Sequence, residues 1–400
     1  MNEPAAKSGA RSLLGDLRLE ARAAPESGIV EVVNYGRLRE GLIPLWAGEG
    51  DLPTPAFIAE AATRSLAAGE TFYTWQRGIP PLREALARYH GYLYGRPFSP
   101  EEFFVTGSGM QAIQIALAMT VGTGDELVMP TPIWPNAAAA AGVLGARAIE
   151  APMSLGHGGW TLDLDRIAKA VGPRTRAVFV VSPSNPTGWA ATLDDLRAIL
   201  ALARRIGLWI IADETYARFW YGPGDRAPSF LDVMDDADRV LFVNTFSKNW
   251  AMTGWRIGWL KAHPSLGQTI ENLIQYATSG VAQFMQRAAV AALERGESFV
   301  AHQIARARAG RDVVCGALAA TGRCRFAVPQ GAFYLLFAVE GAADTRRLAM
   351  RLIDEAGVGL APGTAFGGGA EGYLRLCFAR NAGELSTAAQ RLTRALSDRR

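Results

Sequence analysis

Lysine is nearly missing from this chain of 400 residues. Of its 41 basic residues only four are lysines, Lys7, Lys169, Lys248 and Lys261, and the other 37 (41 − 4) are arginines. Arginine therefore serves almost every purpose that positive charge alone can serve. Cysteine is as scarce: Cys315, Cys324 and Cys377 are odd in number and show no close-paired spacing. That argues against a disulfide framework or a zinc ribbon and suits a reducing cytoplasm. The four histidines, His90, His157, His263 and His302, are scattered and form no metal-ligand pair. No apolar run approaches the roughly 20 residues of a membrane span; "AAAAAGVLGA" at 137–146 is too short. A net charge of +3 spread along the chain is no nucleic-acid footprint. The N-terminal stretch mixes acids with bases and has no continuous apolar segment, so 1–29 reads as an arm and not as a secretory signal.

What is present is a rhythm. Short β-rich runs at 102–106, 126–130, 176–182, 208–213, 240–244 and 256–260 alternate with helical patterns at 109–120, 163–171 and 193–205. Continuously apolar strands with intervening helices predict a mostly parallel sheet covered by helices on both faces. This is an α/β large lobe. A long helical stretch near 283–320 leads to strands near 324–328, 332–338 and 372–378 and helices near 344–356 and 382–397, a smaller α+β lobe. The expected division is an arm (1–29), an N-terminal part of the small domain (30–59), a large domain (60–295) and a C-terminal small domain (296–400). "GTAFGGGAEG" (363–372) is the one glycine-dense patch and reads as a mobile loop.

In open α/β sheets, ligands sit outside the carboxyl ends of the strands, so the residues after each strand matter most. "GSGMQAI" (107–113) turns tightly into a helix; Gly107 and Gly109 serve either that turn alone or an anion at the first N–H groups. "TPIWPN" puts Trp134 at a strand end, to pack or to stack on a flat ring. Asn185 in "PSNPTG" caps a turn or meets a ligand, and Tyr216 lies three residues beyond Asp213 in "DETY". Asp213 ends an apolar run, where a carboxylate must find a strong partner or stay neutral. "TFSKNWAMTGWRIG" then carries Thr245, Ser247, Lys248 and Arg256 at the head of another strand. An amine kept where arginine does everything else points to Schiff-base chemistry, which a guanidinium cannot perform.

Taken together, "SPSNPTG", "ADETY" and "SKNWAMTGWRIG" in this order resemble the class I/II aminotransferases of the fold-type I enzymes that use pyridoxal 5'-phosphate (PLP). The resemblance runs from "AGEGDLPTP" (47–55) to "YLRLCFA" (373–379). It implies that Lys248 forms a Schiff base with the cofactor and shuttles the Cα proton. Asp213 would pair with the ring nitrogen, Asn185 and Tyr216 would bond the ring's phenolic oxygen, and Trp134 would cover a ring face. Backbone N–H groups of Ser108, Gly109 and Met110, with Thr245, Ser247 and Arg256, would hold the phosphate. Tyr73, in "YTWQRGIPPL", matches a tyrosine that reaches the neighbouring subunit's phosphate, which implies a homodimer with shared active sites. Arg375, otherwise an edge-strand arginine paired at the surface, matches the arginine that grips the substrate's α-carboxylate, with Gly48 offering it a backbone N–H. Two departures stand out: "GEGD" has glycine where proline is common, and a second proline follows Trp134.

The implied activity is amino transfer between an L-amino acid and a 2-oxo acid through a PLP/PMP cycle, in cytoplasmic amino acid metabolism such as biosynthesis. The alternative is a PLP-dependent carbon–sulfur β-lyase, because both start from the same carbanion. A cofactor-sensing transcription regulator is set aside, since the residues before the match show no helix-turn-helix pattern. Arg77 is read as solvated or intrahelical in preference to meeting a distal carboxylate, and the helix 109–121 has no basic residue.

Overall fold

The computed structural model describes residues 13–397. Seven strands form the larger sheet: β1 (Phe103–Thr106), β2 (Glu126–Thr131), β3 (Arg147–Pro152), β4 (Thr175–Val181), β5 (Trp209–Asp213), β6 (Val240–Thr245) and β7 (Gly258–Lys261). Their order is β1-β7-β6-β5-β4-β2-β3. β7 runs antiparallel to both its neighbours, and the pairs from β6 through β3 are all parallel.

The unbroken apolar character of these strands follows from burial on both faces. In β4, Ala177, Phe179 and Val181 enter one core cluster while Val178 and Val180 enter another. Helix α1 (Gly109–Thr120) covers the first face with Ala112, Ile113, Ala116 and Leu117. Helix α2 (Leu193–Ile206) covers the second with Leu196, Ile199, Leu200 and Ala203. Its ends are specified locally. Thr192 and Asp195 form a reciprocal cap at its start, and Gly207, at φ +74°, closes it in the left-handed region that a side chain disfavours.

A four-stranded antiparallel sheet follows, made of β8 (Cys324–Phe326), β9 (Tyr334–Val339), β10 (Ala361–Pro362) and β11 (Tyr373–Cys377) in the order β8-β9-β11-β10. The short strand Ile43–Pro44 pairs in parallel with Val358–Gly359 and brings the 40s beside this sheet. One core cluster runs without a break from Val178 and Val180 under the larger sheet to Leu335, Phe337 and Leu374 of the smaller. Among the described residues no helix is long and apolar enough to cross a membrane.

Several sequence expectations needed correction. The edge strand β3 was missed because its side chains are mostly half-buried or exposed, which weakens the apolar signal. The stretch 283–320 is two helices, Gln283–Arg295 and Glu297–Ala320, broken at Gly296. A Cβ there would meet Ala292 O at 2.3 Å and the Trp250 ring at 2.6 Å. Arg256 lies in a left-handed turn (φ 52°) two residues before β7, not in the strand. The glycine patch is seated: Gly363, Ala365 and Phe366 are buried in a tight helical turn, and a Cβ on Gly363 would meet Ala370 O at 1.9 Å. Phe366 O accepts from Ile133 N–H at 2.8 Å, and Glu150 Oε2 accepts from Gly368 N–H at 2.9 Å.

Candidate active site

The carboxyl ends of the parallel strands share one rim of the larger sheet, and β7 begins there. Gly258 stands opposite Thr106, the last residue of β1, and Thr245, the last of β6. Helix α1 starts against this glycine: a Cβ at 258 would meet Gly109 N at 2.7 Å and Ser108 C at 2.8 Å. The Ser108 hydroxyl accepts from Gln111 N–H at 3.0 Å, which caps the helix. The N–H groups of Gly109 and Met110 open the helix, where no intrahelical acceptor exists for them. Thr245 Oγ1 lies 2.9 Å from Ser247 Oγ and accepts from Ser247 N–H at 3.1 Å. Arg256 donates through Nη1 to Thr253 O at 2.6 Å. Together these groups bring backbone N–H, hydroxyl and guanidinium donors to one corner of the rim, the donor types that suit an anion.

A cavity of about 350 Å³ extends from this corner to β11. Lys248 lines it and donates from Nζ to Gly48 O at 2.8 Å. Removal from water lowers the Lys248 amine to about 8, against the opposing pull of Cys377 and Glu49. Asp213 lines the same cavity from the end of β5. Burial raises its carboxyl above the usual range, and the Thr215 N–H, 3.1 Å from Oδ1, offsets this only partly.

Arg375 lines the same cavity and is 2% exposed. Its strand, β11, lies between β9 and β10, so the surface-edge alternative does not apply. One Nη donates to Asn185 Oδ1 at 3.1 Å, the other to Trp46 O, and the buried Nε has no partner. The guanidinium carbon is 4.7 Å from the ring centroids of both Tyr334 and Phe366. Tyr334 is opposite Cys377 across β9 and β11, which makes it the diagonal neighbour of Arg375 on one face. Its hydroxyl is 2.9 Å from that of Tyr216. The Lys248 ammonium favours the ionised Asp213 carboxyl, and no carboxylate among the described residues acts on Arg375.

The cavity thus gathers Gly48, Gly109, Met110, Trp134, Asn185, Asp213, Tyr216, Thr245, Ser247, Lys248, Arg256 and Arg375. It does not gather Ser108, which lies behind the helix start, or Tyr73, which is 92% exposed and lines a separate cleft with residues 278–282. Arg77 is engaged with Glu271 at 2.8 Å and Glu101 at 3.1 Å. Lys261 is buried against Glu102 at 2.8 Å, and Lys7 lies outside the described residues. Sequence reasoning missed Trp46, Thr215 and Tyr334. A lone phenol in the otherwise apolar "FYLLF" was the only signal for Tyr334.

A family model described as aminotransferase class I and II matches residues 40–392. The chain is 34% identical over 364 residues to an aspartate aminotransferase of Thermotoga maritima, covering 90% of this chain and 93% of that protein. It is 32% identical over 385 residues to aromatic-amino-acid aminotransferase 2 of Thermococcus litoralis, covering 93% and 98%. The crystal structure of the Thermotoga maritima enzyme superposes with a TM-score of 0.89 at 31% identity, covering 96% of this chain and all of that one.

Proposed function

The chain belongs to the class I and II aminotransferases, and from that membership we propose that it moves an amino group between an L-amino acid and a 2-oxo acid using PLP held at Lys248. That it is a transaminase is common ground with its relatives, and none of those named above favours the β-lyase alternative. One observation carries the finer reading: a buried acid, Asp213, and a buried cation, Arg375, line one cavity, and neither is salt-bridged to another described side chain. Unpaired buried charge is costly. The pair fits a ligand complex bearing a cationic ring N–H at one end and a carboxylate at the other.

The other residues fit the cofactor as well. Its phosphate would be held by the N–H groups of Gly109 and Met110, the Thr245 and Ser247 hydroxyls and Arg256. Tyr216 and Asn185 would bond the ring's phenolic oxygen, and Trp134 would cover a ring face and keep water from it. When bound, PLP supplies an aldehyde for an amine to capture and a ring that accepts electrons from the substrate's Cα. Lys248 Nζ, its amine lowered to about 8, takes and returns the Cα proton near neutral pH. Asp213 would hold positive charge at the ring nitrogen, and a cation there would bring its carboxyl back to the ionised form. Arg375 grips the α-carboxylate while Asn185 and the Trp46 carbonyl hold the guanidinium plane.

The proposal extends to a cytoplasmic homodimer with shared sites, where Tyr73 reaches the partner's phosphate corner. Its support is the exposure of Tyr73 away from its own cavity; the free cysteines support the reducing compartment. The pairing of Ile43 with Val358 supports joining 30–59 to 296–400 as one domain beside 60–295. The test is borohydride treatment of PLP-loaded protein followed by peptide mapping. The pyridoxyl mass is expected on the Lys248 peptide and is to be lost in Lys248→Ala. One equivalent of 2-oxo acid per site, without free ammonia, is expected when an amino acid alone is added. Label on another lysine, or ammonia release, would refute the assignment.

A further inference from the structure

Tyr334 lines the cavity, and the groups packed around it give its hydroxyl a use. The side chain is fully buried at the head of β9. Its hydroxyl lies 2.9 Å from that of Tyr216, and the two rings meet edge to face, 5.6 Å apart at 86°. The Arg375 guanidinium covers its ring at 4.7 Å from the centroid. Gly48 leaves room for the hydroxyl: a Cβ at 48 would come within 2.9 Å of it. Burial pushes both phenols above the usual tyrosine range, so each keeps its proton at neutral pH.

Two phenols carry two protons, and the hydrogen bond between them uses one. The other needs an acceptor. On the PLP reading above, on which this inference rests, that acceptor is the cofactor's phenolic oxygen beyond Tyr216. It sets the direction of the pair: Tyr334 donates to Tyr216, and Tyr216 donates onward. A hydroxyl that accepts one hydrogen bond is polarised and donates the next more strongly, by about 10–30% per bond. We propose that Tyr334 is a positioning residue that orders and strengthens the hydrogen bond from Tyr216 to the cofactor's phenolic oxygen. A stronger donor takes up more of that oxygen's negative charge, so Lys248 Nζ, once joined to the cofactor, holds its proton less tightly. Among the described residues, Asp213, Arg375 and Cys377 act on Tyr216, and Cys377, Glu49, Arg256 and Arg375 act on Lys248. Removal of the Tyr334 hydroxyl leaves all of these in place.

The test is an absorbance titration of the PLP-loaded protein, which reads the pH midpoint for that proton without turnover. Tyr334→Phe removes the hydroxyl and keeps the ring under Arg375; Tyr334→Leu removes both, and whichever variant folds decides the outcome. The midpoint is expected to rise by at least about 0.3 unit, a twofold gain in proton affinity, and Tyr216→Phe is expected to raise it by at least about one unit. In the Tyr216→Phe background the further change at residue 334 is expected to stay below about 0.1 unit, because the route is already cut. A smaller rise at residue 334 alone, with the Tyr216→Phe rise intact, would overturn this inference and leave Tyr216 at the phenolic oxygen. An equal rise with and without the Tyr216 hydroxyl would also overturn it, since Tyr334 would then act by packing or through Arg375. An unmoved midpoint in Tyr216→Phe would overturn both this inference and the placing of Tyr216.

Discussion

Replacing Arg375 with lysine keeps the charge and removes the fork, and the structure sets how much that matters. In the wild type one Nη is committed to Asn185 Oδ1 at 3.1 Å and the other to the Trp46 carbonyl. These contacts fix the guanidinium plane, with the buried Nε left for a ligand. A lysine ammonium is a point charge and cannot serve both acceptors and a carboxylate in one plane. The loss of one charge-assisted hydrogen bond costs about 1.5–3 kcal/mol. At about 1.4 kcal/mol per decade, kcat/KM for an amino acid falls roughly 10- to 150-fold. An amine without a carboxylate never used the fork, so its rate is expected to change less than about threefold. Single-turnover assays on an L-amino acid and its decarboxylated amine, in Arg375→Lys and wild type, measure both numbers. Equal losses for the two substrates would mean that Arg375 only props the β9–β11 sheet and that the carboxylate is read elsewhere.

Lys248 captures an aldehyde only as the neutral amine, and burial lowers it to about 8; the rate at which apo-protein takes up PLP is expected to rise with pH through about 8 and level off above. A midpoint near the ordinary lysine value of about 10.4 would contradict the desolvation argument. Asp213→Asn is expected to abolish nearly all amino transfer without lowering the melting temperature of the apo-protein at pH 8. Burial raises the Asp213 carboxyl in the folded state, so its ionised form costs stability at high pH, and that cost vanishes as pH falls below the carboxylate range. A clear loss of melting temperature at pH 8 in Asp213→Asn would refute this. Tyr73→Phe is expected to weaken PLP retention with no change in melting temperature of the apo-protein, and sedimentation should show a dimer. Unchanged retention, or full activity in a monomer, would remove Tyr73 from the site.

The cavity was legible because many of its residues are concentrated where strands end. Asp213, Thr245 and the turn into Gly109 follow apolar runs that no other element imitates, so their shared rim could be read from order alone. Trp46 and Tyr334 were not legible. Each reaches the cavity from outside the larger sheet, through a contact that no local pattern announces. β3 was missed because an edge strand with exposed side chains lacks the buried signature. The glycine patch read as mobile because composition does not reveal that Gly363 lies too close to Ala370 O for any Cβ.

The segment around residue 45 supplies acceptors to partners far along the chain. Gly48 O receives Lys248, Leu45 O receives the Cys377 N–H at 2.8 Å, and Trp46 O receives Arg375. The sequence separations for Lys248 and Arg375 are 200 and 329 residues. During synthesis this segment leaves the ribosome early, meets Lys248 200 residues later and has its partners in β11 last of all. Contacts of such long range close late because the loop entropy must be overcome first. The larger sheet, whose strands lie within 103–261, can assemble ahead of them. The active site is therefore among the last parts of the molecule to form. A chain stalled before residue 375 would hold a folded sheet rim and Lys248, but not the Arg375 side chain that closes the cavity.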